Sequence, residues 1–315
     1  MGLLKKLSLQ FRWLRILRFL RLKWLRGDTH IIHVLESHVK VLSDEIGIRR
    51  IDYYNMLDKA AEYITDMFRR YGYNPYSQEY TVAGSVVRNI IAVKAGTGET
   101  KEKIVIGAHY DTAYSPGADD NASGVAVLLE LARLLSPYSN SFDIEFVAFV
   151  NEEGPYFKTN LMGSMVYARA AARNNIKIKT AIILEMVGYY SDTPDSQTVP
   201  KQFEGLYPNT GNFIAAIGRV RWERLLKQFV DSYEKSSSLS IKPFIIEKQP
   251  FVQGVDASDH WSFWQYNYPA FMLTDTAFLR NKNYHAMSDV YTTLDYKYMA
   301  EAVKGIIQGI LSLAQ

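Results

Sequence analysis

Residues 103–154 read KIVIGAHYDTAYSPGADDNASGVAVLLELARLLSPYSNSFDIEFVAFVNEEG, and they set the fold. Lys103–Tyr110 is a near-continuous apolar run of strand length. Ser123–Leu135 is an amphipathic helix, and Ile144–Val150 is again an apolar strand. Unbroken apolar strands separated by a helix imply a parallel sheet covered on both faces. The same alternation continues downstream. Leu161–Arg173 reads as a helix, Ala181–Met186 as a strand, Phe213–Gly218 and Glu223–Lys235 as helices, Pro269–Thr274 as a strand and Tyr296–Leu313 as a closing helix. Upstream, Ile31–Ile46 and Tyr53–Tyr71 have helical apolar spacing, with Gly72 as a stop, and Ser77–Ala83 and Val86–Val93 read as strands. The pattern predicts an α/β fold with helices on both faces of one sheet. Residues 187–211, rich in Gly, Ser, Asp, Pro and Asn, read as a long irregular loop of the kind that covers active sites.

The chain has 315 residues, 48% hydrophobic and 22% charged, enough apolar mass for a sizeable core. It shows no internal repeat and no linker after residue 45, so 31–315 is expected to form a single catalytic domain. With no cysteine in the sequence, disulfides and thiolate metal sites are excluded, and any metal must be held by His, Asp and Glu.

The net charge of +3 hides an asymmetry. Residues 2–26 carry Lys5, Lys6, Arg12, Arg15, Arg18, Arg21, Lys23 and Arg26 and no acid, which leaves 28 basic against 33 acidic residues, or −5, in the rest. Residues 1–30 are therefore read as a basic amphipathic arm. Its longest uncharged run, Leu7 to Phe11, is five residues. A secretory signal needs an apolar core of roughly 7–15 residues and a spanning helix about 20, so neither is recognisable. Leu and Trp mixed with Arg and Lys suit an anionic membrane surface; a solvated or partner-packed helix is the alternative. The same Leu and Trp content speaks against a nucleic-acid partner. The expected location is cytoplasmic, peripheral at the membrane.

Polar residues at strand ends are the anomaly, because ligands of open α/β sheets bind at the carboxyl ends of the strands. His109 and Asp111 lie two apart and share a face. A metal-bound imidazole donates its second N–H to a partner such as a carboxylate; a plain surface histidine is the alternative. Asp119 and Asp120 precede a helix, where they serve as caps or as ligands. Glu152 and Glu153 follow the strand Ile144–Val150. Paired buried glutamates are expensive unless a cation neutralises them, and one can ligate while the other faces water. Glu185 stands inside an apolar strand terminus, as a ligand or in a salt bridge. His285 follows the segment after Pro269–Thr274. Two histidines with at least three carboxylates and no sulfur suit two catalytic zinc ions, with manganese or cobalt as substitutes.

The blocks A-H-Y-D-T, P-G-A-D-D-N-A-S-G, N-E-E-G, L-E-M-V-G-Y, S-D-H-W-S-F-W and N-Y-H resemble, in order and spacing, those of the di-zinc exopeptidases that include bacterial secreted aminopeptidases and plasma glutamate carboxypeptidase. The resemblance covers roughly residues 38–315. It implies a three-layer α/β sandwich of the zinc-exopeptidase type, a mixed, mostly parallel sheet between helices. It also implies peptide substrates cut from one end, most readily the amino end. His109 would bind one zinc with Glu185, His285 the other with Glu153, and Asp120 would bridge both. Many members have Asp where Glu185 stands. Glu152 would be the general base and Asp111 would orient His109. His260, Arg280 and Tyr284 are candidate substrate contacts, and Asp259 a candidate partner of the ligands. Phe149, Tyr156, Phe157 and Phe278 are candidate pocket aromatics, with core packing as the alternative.

Two further readings share the fold. A glutaminyl cyclase keeps similar acidic and histidine positions with one zinc and releases ammonia. A receptor-like module with a dead peptidase fold would have lost ligands, whereas all five candidates and the base are present.

Overall fold

The computed structural model describes residues 28–100, 102–247 and 252–314. The basic arm, with the membrane contact expected of it, lies outside the described residues except for its last three positions. Eight strands form one sheet in the order β1-β2-β4-β3-β5-β8-β6-β7. They are β1 Tyr76–Val82, β2 Ser85–Lys94, β3 Lys103–His109, β4 Asp143–Phe149, β5 Ile178–Leu184, β6 Phe213–Arg219, β7 Ser240–Ile246 and β8 Ala270–Thr274. The central strands β4, β3, β5 and β8 run parallel, as do β6 and β7. The contacts of β1 with β2, β2 with β4 and β6 with β8 are antiparallel. The sheet is mixed and mostly parallel, as expected.

Alternating side chains feed two cores. Ile104, Ile106 and Ala108 of β3, with Ile144, Phe146 and Ala148 of β4, face a large core. That core is closed by α1 (Asp28–Lys40, continued in wider turns over Val41–Ile46), α2 (Tyr54–Arg70), α3 (Gly124–Leu135), α5 (Glu223–Tyr233) and α7 (Tyr296–Leu313). Val105, Val147, Phe149 and Ile183 face a smaller core under α4 (Gly163–Arg173) and α6 (His260–Gln265). The result is a three-layer α/β sandwich. Strands buried on both faces need no polar alternation, which explains their continuous apolar reading. Among the described residues no helix is long and apolar enough to cross a membrane.

Two elements differ from the sequence reading. Phe213–Gly218, expected as a helix, lies in strand β6, with Ile214 and Ala216 in one core and Phe213, Ala215 and Ile217 in the other. A short apolar run of this kind has no periodicity to separate strand from buried helix. Strand β7, at the sheet edge, was not foreseen. Its Lys242 and Pro243 are poor strand formers, tolerated where one side of the ladder is open.

Candidate metal centre

The central parallel strands β4, β3, β5 and β8 end on the same side, and their carboxyl ends deliver the polar groups. His109 is the last residue of β3, Glu152 and Glu153 follow β4, and Glu185 follows β5. Asp120 stands in the turn that opens α3, and His285 lies beyond β8.

These side chains converge as two triplets sharing one residue, His109–Asp120–Glu185 and Asp120–Glu153–His285, each with ligand atoms within 4.8 Å of one another. Nε2 of His109 lies 3.4 Å from Oδ1 of Asp120 and 3.3 Å from Oε2 of Glu185. Nε2 of His285 lies 3.0 Å from Oδ2 of Asp120 and 3.2 Å from Oε1 of Glu153. Each oxygen of Asp120 thus faces a different imidazole. Oε2 of Glu152 lies 3.9 Å from Nε2 of His109.

The ring of His109 is oriented through Nδ1, which lies 3.1 Å from the backbone carbonyl of Asp111. This corrects the expected partner atom. The Asp111 carboxylate, 3.6 Å from Nδ1, instead accepts the amides of Glu152 and Glu153, both at 3.0 Å. One residue therefore sets both the imidazole and the two glutamates.

Further residues hold the loops. Asn121 accepts from the amides of Gly124 and Met186 and donates to the Leu184 carbonyl, tying the start of α3 to the end of β5. Asp289 accepts the amides of Asp119 and Asp120. The Asp119 carboxylate accepts from the Gly188 amide and the Asn281 side chain. Ser258 donates to Glu185. Asp119 was read from the sequence as a cap or a ligand, whereas Asn121, Asp289, Asn281 and Ser258 were not singled out. Asn121 and Ser258 stand inside the motif blocks, and that was their only signal.

Electrostatics define what fits here. Nε2 of His109 is buried without a hydrogen-bond partner, yet it faces three carboxylates. Burial raises Glu152 well above the usual carboxylate range, and burial with the charge of Asp120 pushes Glu153 up to about 7. Burial alone would lower His285, but its bonds to Asp120 and Glu153 push it up to about 10. Protons on the imidazoles and glutamates hold together a cluster that a cation would otherwise neutralise. Imidazole nitrogens and carboxylate oxygens in two triplets joined by one carboxylate are a donor set that two zinc ions fit.

The other candidates separate by exposure. Tyr284 stacks on His285 at 3.8 Å and lines the adjoining pocket with Phe278. His260 is fully buried, with Nε2 2.9 Å from the Val255 carbonyl and its ring edge-on to Trp264. Arg280 is buried and donates to Gln197, to the Phe213 carbonyl and to the Tyr189 carbonyl. Both brace loops rather than face open space. Asp259 is fully buried at the start of α6, and burial pushes its carboxyl up to about 7. Phe149 belongs to the smaller core, against Tyr167 and Phe263.

Beside Glu185 opens a mainly apolar pocket. Its far wall is the aromatic trio Phe203, Tyr207 and Phe244, with centroids 4.9–6.0 Å apart. Phe203 and Tyr207 come from the 187–211 loop, which packs over β7 and forms one side of the pocket.

A family model described as peptidase family M28 matches residues 89–310. The chain is 40% identical over 283 residues to the uncharacterized protein YfbL of Escherichia coli, covering 87% of this chain and 85% of that protein. It is 28% identical over 241 residues to a protein of Arthroderma otae named "Probable leucine aminopeptidase", covering 72% of this chain but only 56% of that protein. The fold is similar to the crystal structure of LapA from Legionella pneumophila, with a TM-score of 0.71 at 20% identity over 92% of this chain and 75% of that one.

Proposed function

The chain belongs to peptidase family M28, and from that premise we propose that it is a zinc-dependent aminopeptidase with two metal ions per chain. The observation that carries the reading is the split of Asp120 between His109 and His285, each histidine with a glutamate of its own. His109 and Glu185 would hold one zinc, His285 and Glu153 the other, and Asp120 both. Zinc bound there supplies Lewis acidity, polarising the scissile carbonyl and acidifying water.

The chain's own groups do the rest. Glu152, buried beside His109, takes a proton from the attacking water at its carboxylate. The water oxygen bonds to the peptide carbon, the carbon–nitrogen bond breaks, and Glu152 returns the proton to the leaving nitrogen. Burial raises the affinity of Glu152 for that proton. Asp111, through two amides and one carbonyl, keeps base and imidazole in register.

Charge favours the amino end. A free α-ammonium meets the carboxylates around Glu185 and Glu152. A free α-carboxylate would need a cation, and the nearby arginines are engaged: Arg49 and Arg280 with loop acceptors, Arg50 with Asp52 and the Gly154 carbonyl. Lys242, on β7, is the one cation among the described pocket-lining residues. The apolar pocket suits a large apolar first side chain.

The experiment is hydrolysis of a panel of aminoacyl-p-nitroanilides by protein stripped with chelator and reloaded with zinc, with bound metal counted. Release of p-nitroaniline that needs about two metals per chain supports the reading. Metal binding without anilide cleavage would turn it to carboxy-end or glutaminyl-cyclisation chemistry, and failure to bind metal would end the catalytic assignment.

For the arm we propose contact with an anionic membrane surface. Its eight basic residues among Leu, Phe and Trp support this. Co-sedimentation with phosphatidylserine-containing vesicles but not with phosphatidylcholine vesicles is expected. Equal binding to both, or to neither, would refute it.

A further inference from the structure

Arg49 is fully buried, at the point where the tail of α1 meets the loops that carry His109 and Asp120. Its guanidinium donates to five backbone carbonyls. Nε bonds Tyr110 at 2.8 Å, Nη1 bonds Leu42 at 2.7 Å, Gly47 at 2.9 Å and Pro116 at 2.8 Å, and Nη2 bonds Gly117 at 2.9 Å. Its amide donates to Thr112 Oγ1 and its carbonyl accepts from the Thr112 amide. Tyr110 follows His109 directly, and Gly117 stands three residues before Asp120. The fork thus grips both ends of the loop between these two residues.

Gly117 makes the approach possible. Its φ is +61°, and a Cβ there would lie 2.3 Å from the Asp120 carbonyl oxygen and 3.1 Å from Nη2 of Arg49. The grip comes from outside the part of the chain that matches the family model, which begins at residue 89.

Among the described residues Arg49 forms no ion pair, and its acceptors are neutral. A loop tie needs no charge, and burying a cation without a close counter-ion is expensive. What lies nearby is a group of carboxyl side chains. The acids whose fields favour the charged guanidinium are Asp289, Asp111 and Asp120. Asp111 and Asp289 hold the centre's backbone, and Asp120 is the carboxylate shared by the two triplets. Burial lowers the pKa of Arg49, but only to about 10, so the cation persists at neutral pH.

We infer that Arg49 is a positioning residue and a built-in counter-ion, which holds the loop from His109 to Asp120 in place while the centre is free of metal. The inference rests on the metal-centre reading above. Its signature is a contribution that matters most before the zinc ions bring their own positive charge.

The test compares melting temperatures of the full chain, stripped with chelator and loaded with zinc, for wild type, Arg49→Gln and Arg49→Lys. Arg49→Gln is expected to lower the metal-free form more than the zinc-loaded form, widening the zinc-induced rise by about 5 °C. A variant that folds only with zinc is the extreme of the same result. Arg49→Lys keeps the charge and loses the fork, so its zinc-induced rise is expected to match wild type even if both forms melt lower. Equal losses in the two forms of Arg49→Gln, or its failure to fold with and without zinc, would overturn the inference. So would a rise in Arg49→Lys as wide as in Arg49→Gln. A wild-type protein with no zinc-induced rise would instead overturn the metal reading itself, and that failure shows without any substitution.

Discussion

Ser258 donates a 2.6 Å hydrogen bond from Oγ to Oε2 of Glu185. That oxygen is the one that lies 3.3 Å from Nε2 of His109. A glutamate has one more rotatable bond than an aspartate, and Ser258 fixes the longer side chain. Partners of this kind set ligand orientation, and their loss commonly weakens metal binding about 10- to 100-fold. Ser258→Ala is therefore expected to bind one of two zinc ions at least ~10-fold more weakly, measured by competition with a chromophoric chelator. Unchanged affinity for both ions would show that Glu185 holds its place without the serine.

Glu152 and His285 are predicted to fail in different ways. Glu152→Gln keeps the shape and both triplets but removes the proton acceptor. It should retain the wild-type zinc count while anilide hydrolysis falls at least ~100-fold. His285→Ala removes the one candidate ligand with a substantially exposed side chain, 38%, so folding should survive and the zinc count should fall by one. Atomic-absorption metal counts beside the kinetics separate the two. A Glu152→Gln protein that loses metal would reassign that residue as a ligand.

His109, Glu153 and Glu185 of the candidate centre were legible in the sequence because they are tied to strand ends, whereas Asp120 and His285 were carried by the motif blocks. An apolar run that stops at His109, at Asn151 with the two glutamates, or at Glu185 announces itself locally. The supporting contacts were not legible, because they join residues far apart in the chain. Arg49 reaches the loop 61 to 68 positions away, and Asp289 reaches Asp119 across 170. Asp111 shows the same limit at short range. Its proximity to His109 was readable, but not that its carboxylate would take the amides after β4 and leave its carbonyl for the imidazole. Strand β6 was missed for a different reason: Ile214 and Ala216 enter one core and Ala215 and Ile217 the other, so no face of the segment was left polar.

The pocket wall gives a prediction about substrate choice. Phe244 packs against Phe203 at a centroid distance of 4.9 Å and against Tyr207 at 5.6 Å. Phe244→Ala should widen the pocket and remove apolar contact from the first side chain of the substrate. kcat/KM for leucyl-p-nitroanilide is expected to fall about 10-fold, in line with a loss of 1–3 kcal/mol for a truncated apolar contact. The alanyl substrate, too small to reach the trio, should change little. Equal losses on both substrates would place the first side chain elsewhere.

The last prediction concerns acid stability away from the centre. His38 of α1 is buried, with its ring nitrogens 2.6 Å from the Tyr63 hydroxyl and 2.9 Å from the Tyr71 hydroxyl. Burial, helped by the charge of Arg133, lowers its pKa from 6.5 to about 4. The unfolded chain therefore binds a proton between these values that the folded chain does not. The stability this neutral histidine contributes is full above pH 6.5 and is lost as pH falls toward 4. The loss at pH 5 is about 2 kcal/mol. Urea unfolding at pH 7 and pH 5 should show the wild type losing more stability than His38→Gln by roughly that amount. His260, also lowered to about 4 by burial, contributes with the same sign in both proteins and cancels from the comparison. If the two proteins lose equally between the two pH values, the ring of His38 already accepts its proton in the folded state.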